Sequence, residues 1–133
     1  MKYMLDTNIC IYLMREHPKD IIQKFNEAVV HHEVVVSSVV MSELYFGACK
    51  STAKEKNIVA LEKFSVPVAV CSYDKKAAYY YGEIRETLRK TGLLIGPMDL
   101  MIAAHALSAE AILITNNLKE FSRVKRLRCE NWV

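Results

Sequence analysis

The sequence contains little of what builds a disulfide scaffold, a zinc ribbon or a nucleotide-binding loop. Its four cysteines occur singly, at Cys10, Cys49, Cys71 and Cys129, with no Cys-x-x-Cys pair. That spacing argues against redox dithiols, zinc ribbons and disulfide frameworks, and it predicts buried free thiols. The four glycines form neither Gly-x-Gly nor Gly-Lys-Ser/Thr. A dinucleotide loop and a P-loop are therefore absent.

Long apolar runs are also missing. The one stretch worth testing, residues 34–46, is interrupted by three serines and by Glu43, whereas a membrane span needs roughly 20 mostly apolar residues. An acid as early as Asp6 leaves no room for the apolar core of a signal peptide. We therefore expect a cytoplasmic protein with no membrane contact.

Charge and size point to an ordinary globular domain. The chain has 133 residues, of which 52% are hydrophobic and 25% charged. This length fits one domain, and the composition lies far from disorder. The net charge of +3 is mild and does not by itself indicate nucleic-acid binding.

The order of elements predicts an α/β fold. β-Branched and apolar runs predict strands at residues 2–6, 33–37, 67–71, 111–115 and 127–132. Between them lie predicted helices at residues 7–15, 18–30, 38–50, 52–64, 74–90 and 97–109, with a helical turn at 118–121. Ser38 is the predicted N-cap of the third helix. Alternation of this kind requires crossovers and a mainly parallel sheet, whose ligands bind beyond the carboxyl ends of the strands.

Three acids stand where that site would form, although each has a simpler interpretation. Asp6 follows the first strand and could be only a helix N-cap. Glu43 shares a predicted helix face with apolar or small residues. Either the predicted phase of this helix is wrong, or Glu43 lies in a cleft. Asp99 lies in a first helical turn, where the helix dipole favours an acid.

Together these residues predict a metal site. Residues 115–117, Thr-Asn-Asn, are polar and come at the end of a predicted strand, and Glu120 comes three residues later. Carboxylates that converge repel each other unless a cation lies among them. A site of one or two carboxylates and several waters suits Mg²⁺, with Mn²⁺ as its substitute, and such a metal supports phosphodiester hydrolysis. No histidine is required, and we expect His105 to be a satisfied core residue.

Five segments give the chain a family resemblance. They are MLDTN at residues 4–8, SELxxGA at 42–48, GPxDxxIAxHA at 96–106, TNNxxEFxRV at 115–124 and ExW at 130–132. With these segments the chain resembles the PIN-domain ribonucleases, and within them the VapC toxins of bacterial toxin–antitoxin modules. Each segment alone is degenerate, but all five occur in order, at the family's spacing, over the whole chain.

The resemblance implies a three-layer α/β/α sandwich around a central, mainly parallel sheet, with residues 1–133 forming a single PIN-like nuclease domain. It places Asp6, Glu43 and Asp99 on the family's acidic triad. Asp6 and Asp99 would bind the metal directly, while Glu43 would hold a water at the metal or act as a general base.

The chain departs from the family pattern at one position. The family often has a fourth acid after the later strand, where this chain has Asn117, followed by Glu120. Both are candidate catalytic residues, and the departure leaves the number of metal ions open. Thr7 and Thr115 are candidates for positioning water or phosphate through their hydroxyl groups.

Substrate and partners follow from the same resemblance. The motifs are similar to those of VapC toxins that cleave initiator tRNA in its anticodon loop, which blocks translation. A VapB-like antitoxin and a homodimer are implied as well. Arg123, Lys125 and Arg126 form a basic cluster that is either an RNA-binding patch or a solvated face. A candidate antitoxin groove on the first two helices would use Ile9, Ile11, Tyr12, Leu13, Ile21, Ile22 and Phe25.

Two other classes remain open at this point. A haloacid dehalogenase-type phosphatase also has an aspartate after its first strand, but it needs a second one two residues later, where this chain has Asn8. A binding module without catalysis has no need to keep Asp6, Glu43 and Asp99. Activity on RNA, DNA and a phosphatase dye, with Mg²⁺ and with chelator, discriminates among these classes.

Overall fold

The computed structural model describes residues 1–133 and contains one five-stranded parallel sheet. Its strands are β1 (Lys2–Leu5), β2 (Glu33–Ser37), β3 (Ala69–Cys71), β4 (Ile112–Ile114) and β5 (Cys129–Glu130). They lie in the order β3-β2-β1-β4-β5, and all four pairings are parallel. The predicted α/β fold with a parallel central sheet is confirmed.

Seven helices surround the sheet. They are α1 (Thr7–Arg15), α2 (Lys19–His31), α3 (Ser38–Lys50), α4 (Lys54–Ser65), α5 (Lys75–Thr91), α6 (Pro97–Ser108) and α7 (Leu118–Phe121). Each lies within two residues of its predicted limits. None is long and apolar enough to cross a membrane.

The two edge strands are shorter than predicted. The expected strands at 67–71 and 127–132 are only Ala69–Cys71 and Cys129–Glu130. β3 pairs only with β2, and β5 pairs only with β4. An edge strand has hydrogen-bonding partners on one side only. The apolar residues next to β3 and β5 therefore lie outside the strands, although their pattern is typical of strand.

The centre of the sheet forms the core and also sets the place of the site. Met4 and Leu5 of β1, with Leu113 and Ile114 of β4, have no exposed surface. Strand order reverses at β1, because β2 follows on one side and β4 lies on the other. In parallel sheets such a reversal opens a crevice at the carboxyl ends of the two strands.

The N-cap of α3 is Ser37 rather than the predicted Ser38. Ser37 Oγ accepts the Val39 N–H at 3.0 Å, whereas Ser38 is the first helical residue and its hydroxyl accepts the Tyr73 N–H at 3.0 Å. The error arises because both positions are serine, and only the fold decides which side chain turns back towards the helix. Ser37 Oγ also lies 2.8 Å from Nδ1 of the buried His105, which confirms that histidine as a satisfied core residue.

The prediction of buried thiols is right only for Cys10. All four cysteines are free, but Cys49 is exposed, and Cys71 and Cys129 are half-buried. The last two lie in the edge strands, where one flank of each strand has no neighbour. Cys49 lies on the solvent-facing side of α3.

Candidate active site

Asp6 is the first residue after β1 and is almost fully buried, with 6% of its surface exposed. Its Oδ1 accepts the Thr7 N–H at 2.8 Å and so caps α1, while its Oδ2 accepts the Thr115 hydroxyl at 2.8 Å. The simpler interpretation of Asp6 as an N-cap is therefore correct for one oxygen. The other oxygen belongs to a polar cluster at the crevice.

The segment after β4 supplies the opposite wall of this cluster. Thr115 is buried, and its Oγ1 accepts the Asn117 N–H at 3.0 Å while donating to Asp6. Asn117 Nδ2 in turn donates to Glu120 Oε2 at 3.3 Å. A continuous line of hydrogen bonds thus joins Asp6, through Thr115 and Asn117, to Glu120.

Glu43 enters the site from the second turn of α3 and is half-buried. Its Oε1 accepts the Thr7 hydroxyl at 2.7 Å. In this structure both threonine hydroxyls contact carboxylates of the site. Thr7 and Thr115 each donate their hydroxyl hydrogen to a carboxylate and hold it in place.

Asp99 reaches the same space from the first turn of α6. Pro97 occupies the first helical position, where its fixed φ favours helix initiation, and this places Asp99 two residues further on. The pKa of Asp99 is raised to about 6, first by burial and then by the charges of Asp6 and Glu120. The charge of Glu43 raises it further. The predicted acids therefore converge.

The negative charge of this cluster has no positive side chain to balance it. Burial raises the pKa of Asp6, the charge of Glu43 adds to the rise, and the hydrogen bonds from Thr115 and Thr7 oppose it. The ion pairs of the structure are Lys2–Glu33 and Arg89–Glu86, and neither involves the site. Four carboxylates share one crevice without a Lys or Arg among them, which is the arrangement that a cation relieves.

The donor set fits a hard divalent ion held by few protein ligands. No group of three or more His, Cys, Asp or Glu side chains is arranged to hold a metal. Asp6 and Asp99, whose charges interact, offer the one or two carboxylates with which proteins hold Mg²⁺, the remaining ligands being water and substrate oxygens. Each Asp6 oxygen accepts one hydrogen bond and keeps a lone pair for such an ion.

The predicted RNA-binding residues follow α7, and one of them contacts the loop before α6. The Arg123 guanidinium donates to the Leu94 carbonyl at 3.0 Å, in the loop that leads into α6. Arg126 lies over the ring of Tyr80, 5.3 Å from its centroid, and Lys125 is exposed. Arg123 is thus anchored by backbone carbonyls, while none of the three cations pairs with an acid.

Several contacts of the site were not foreseen from the sequence. Asn116 Nδ2 donates to the Tyr12 hydroxyl at 2.9 Å and ties the loop after β4 to α1. Tyr80 had no predicted role. These pairs lie far apart along the chain, so no local pattern signals them; only the strand-end position of residues 115–117 pointed to this loop.

Comparison with known proteins agrees with this geometry. The model of the PIN domain family matches residues 3–127. "Ribonuclease VapC2" of Haemophilus influenzae is 47% identical over 133 residues, which is all of this chain and 99% of the relative. "tRNA(fMet)-specific endonuclease VapC" of Shigella flexneri is 42% identical over 132 residues, covering 99% of this chain and 98% of the relative.

A solved structure extends the likeness to three dimensions. The VapBC2 structure from Rickettsia felis, bound to a DNA fragment from its promoter, contains a chain that superposes with a TM-score of 0.95. That chain is 40% identical, and the match covers 100% of both chains. The chain described here therefore belongs to the PIN domain family and, within it, to the VapC ribonucleases.

Proposed function

We propose that this chain is the toxin of a toxin–antitoxin module, a Mg²⁺-dependent endoribonuclease in which residues 1–133 form a single nuclease domain. The observation that carries the proposal is the crevice in which Asp6, Glu43, Asp99 and Glu120 converge without a compensating cation. A divalent ion held there by Asp6 and Asp99 would lower the pKa of water and polarise a phosphoryl oxygen. Mn²⁺ can replace Mg²⁺ at an oxygen-ligand site.

Each side chain has a defined task in this proposal. Asp6 and Asp99 hold the metal, and Thr115 orients Asp6 through its 2.8 Å hydrogen bond. Glu43, oriented by Thr7, accepts a proton from the attacking water. Asn117 and Glu120 complete the crevice next to Asp99, where Asn117 replaces a charge with a neutral hydrogen-bonding group.

The proposed substrate is initiator tRNA, cut in its anticodon loop so that translation stops. Support comes from two relatives named tRNA(fMet)-specific endonuclease VapC, from Shigella flexneri and Salmonella typhimurium, at 42% and 41% identity over 132 residues. Arg123, Lys125 and Arg126 are proposed to contact RNA phosphates next to the cleft.

A VapB-like antitoxin is the proposed inhibitor, and a homodimer is the proposed state of the toxin. This chain also aligns with VapBC structures from Rickettsia felis, Salmonella typhimurium and Haemophilus influenzae, and it covers 98–100% of the matched chain in each. An antitoxin that places an Arg or Lys in the acidic crevice would pair with the carboxylates that hold the metal. Of the apolar residues considered for its groove, Ile9, Leu13 and Ile21 are buried core, so the usable surface is narrower than the sequence indicates.

The test of this function is brief induction in a bacterium, followed by sequencing of RNA 5′ ends. We expect a new 5′ end within the anticodon loop of initiator tRNA and arrested growth. Co-expression of the adjacent small reading frame is expected to abolish both effects. A chain that is harmless when induced alone and leaves all tRNAs whole would refute the toxin function.

A further inference from the structure

A second groove, whose lining includes none of the four acids of the crevice, runs along residues 80–91 of α5. It is closed on the other side by residues 123–126, which follow α7, and it has a volume of about 300 Å³. Its floor is apolar and consists of Ile84, Leu88, Leu107 and Val124. We call this feature the α5 groove.

The rim of the α5 groove is basic. Arg123, Lys125 and Arg126 line it, and none of them pairs with a carboxylate. Arg126 lies over the Tyr80 ring at 5.3 Å, so a guanidinium plane and an aromatic face meet at one end. Both surfaces are platforms on which unpaired RNA bases stack.

Groups with hydrogen-bonding capacity lie along the α5 side. Glu83 is the one carboxylate of the lining, and Thr87 and Thr91 line the same wall. The Thr87 and Thr91 hydroxyls donate their hydrogens to backbone carbonyls one turn earlier. Their oxygens, like those of Glu83, are therefore left as acceptors for the N–H groups on the edge of a base.

Both walls of the α5 groove are linked along the chain to elements of the acidic crevice. The α5 wall leads through Leu93 and Leu94 directly into α6 and Asp99. On the opposite wall Arg123 follows Glu120 by three residues, and its guanidinium donates to the Leu94 carbonyl at 3.0 Å. Arg123 is therefore the rim residue that ties the groove to the loop before Asp99.

We propose that the α5 groove binds one unpaired nucleotide of the RNA substrate, outside the scissile bond. The base lies on the apolar floor against Tyr80 and Arg126, and its phosphates face Arg123 and Lys125. A volume of about 300 Å³ lies at the lower end of small-ligand sites, which suits one nucleotide rather than a folded partner. This proposal rests on the proposed ribonuclease function and adds a second contact point for its substrate.

Filling the groove tests the proposal without removing a charge. Thr87→Phe adds a ring over the floor from an exposed helical position, and Ala60→Phe adds the same ring on exposed α4 as the matched control. For an RNA stem-loop we expect Thr87→Phe to raise KM about fivefold or more with kcat unchanged, as expected for the loss of one stacked base. Ala60→Phe should match the wild type.

Replacement of single cations on the rim of the groove is the second test. Arg126→Ala should raise KM similarly, because a stacking surface is lost. Lys125→Ala should reduce the slope of log K for RNA binding against log salt concentration by about 0.7, the value for one phosphate contact on a single strand. Lys63→Ala, an exposed lysine on α4, removes the same charge as a control. These alanine variants test the groove even if Thr87→Phe does not fold.

Other outcomes overturn the proposal. If KM for Thr87→Phe and for Arg126→Ala stays within twofold of the wild-type value while the wild type cleaves RNA, the groove does not bind substrate. If kcat falls and KM does not rise, the substitutions act indirectly, by changing the geometry of the acidic crevice. If Thr87→Phe alters sedimentation but not KM, the groove belongs to a second copy of the chain. A wild type that cleaves no RNA refutes the ribonuclease function, and anisotropy with labelled stem-loop RNA then tests the groove separately.

Discussion

Thr115 Oγ1 donates a 2.8 Å hydrogen bond to Asp6 Oδ2, across 109 positions of sequence. The bond joins the residues that directly follow β1 and β4, which pair in the register Leu5↔Ile114. The Asp6 N–H also donates to the Ile114 carbonyl at 2.9 Å. The sheet therefore fixes the position of the Asp6 carboxylate, and the acidic crevice is a direct product of the strand order.

Replacement of Thr115 tests the importance of this bond. Thr115→Val leaves Asp6 Oδ2 without its donor and should lower the free energy of unfolding by about 1.5–3 kcal/mol, the range for a hydrogen bond to a charged group. RNA cleavage should fall at least tenfold, because Asp6 is no longer held. Chemical denaturation and initial cleavage rates measure the two effects.

Thr115→Ser is the matched control because it keeps the hydroxyl. It should retain most activity and lose less stability than Thr115→Val. Losses in Thr115→Ser with Thr115→Val unchanged would show that the methyl group, rather than the hydrogen bond, is what matters at this position.

Neutralising Asp99 should separate activity from stability. Asp99→Asn removes one of the proposed metal-binding carboxylates, so cleavage should disappear, yet the metal-free protein should become more stable at pH 7.5. The reason is that burial and the charges of Asp6 and Glu120 disfavour ionised Asp99. Thermal unfolding in EDTA measures the gain. The control is Asp20→Asn, which removes an exposed acid from the first turn of α2 and should lower the melting temperature slightly. A lower melting temperature for Asp99→Asn would contradict the repulsion account.

The pH dependence of stability follows from the same residue. The pKa of Asp99 is raised to about 6 in the folded protein, above the value of about 3.9 of an unfolded chain. Between those values the folded state binds more protons than the unfolded state, so stability falls as pH rises from about 4 to about 6 and then levels off. Asp6, whose pKa is also raised, acts in the same direction.

Denaturation of the metal-free protein at a series of pH values measures this slope. Asp99→Asn should flatten it. In contrast, stabilisation by added Mg²⁺ should be largest above pH 6 and weaken below it, because protons then compete with the ion for Asp99. An Asp99→Asn variant whose stability has the same slope as the wild type between pH 4 and pH 6 would be incompatible with the raised pKa of Asp99.

The N-cap of α3 offers a test independent of activity on RNA. Ser37→Ala removes the acceptor of the Val39 N–H and the partner of His105 Nδ1, and loss of a cap costs about 0.5–2 kcal/mol. Ser38→Ala removes only an acceptor for the Tyr73 N–H and should cost less. Denaturant midpoints of the two variants decide between them; a larger loss for Ser38→Ala would reassign the cap.

The sequence was sufficient for the order of elements because β-branched runs and helix-start signals are local. Asp6 and Asp99 could be located from equally local signals, because one follows a strand and the other lies in a first helical turn. The hydrogen bond between Thr7 and Glu43 was beyond such reasoning, because it joins residues 36 positions apart. The α5 groove is similar: its two walls become neighbours only when residues 123–126 return to α5.

Metal-dependent cleavage of purified initiator tRNA is the most direct test of the central claim, that the carboxylates of the acidic crevice act through a divalent ion. Wild type and Asp99→Asn are incubated with the tRNA in Mg²⁺, in EDTA, and in EDTA followed by excess Mg²⁺, and 5′ ends are read. The account predicts one new end in the anticodon loop for the wild type in Mg²⁺, its loss in EDTA, its return with excess Mg²⁺, and none for Asp99→Asn. Undiminished cleavage in EDTA, or by Asp99→Asn, would contradict it.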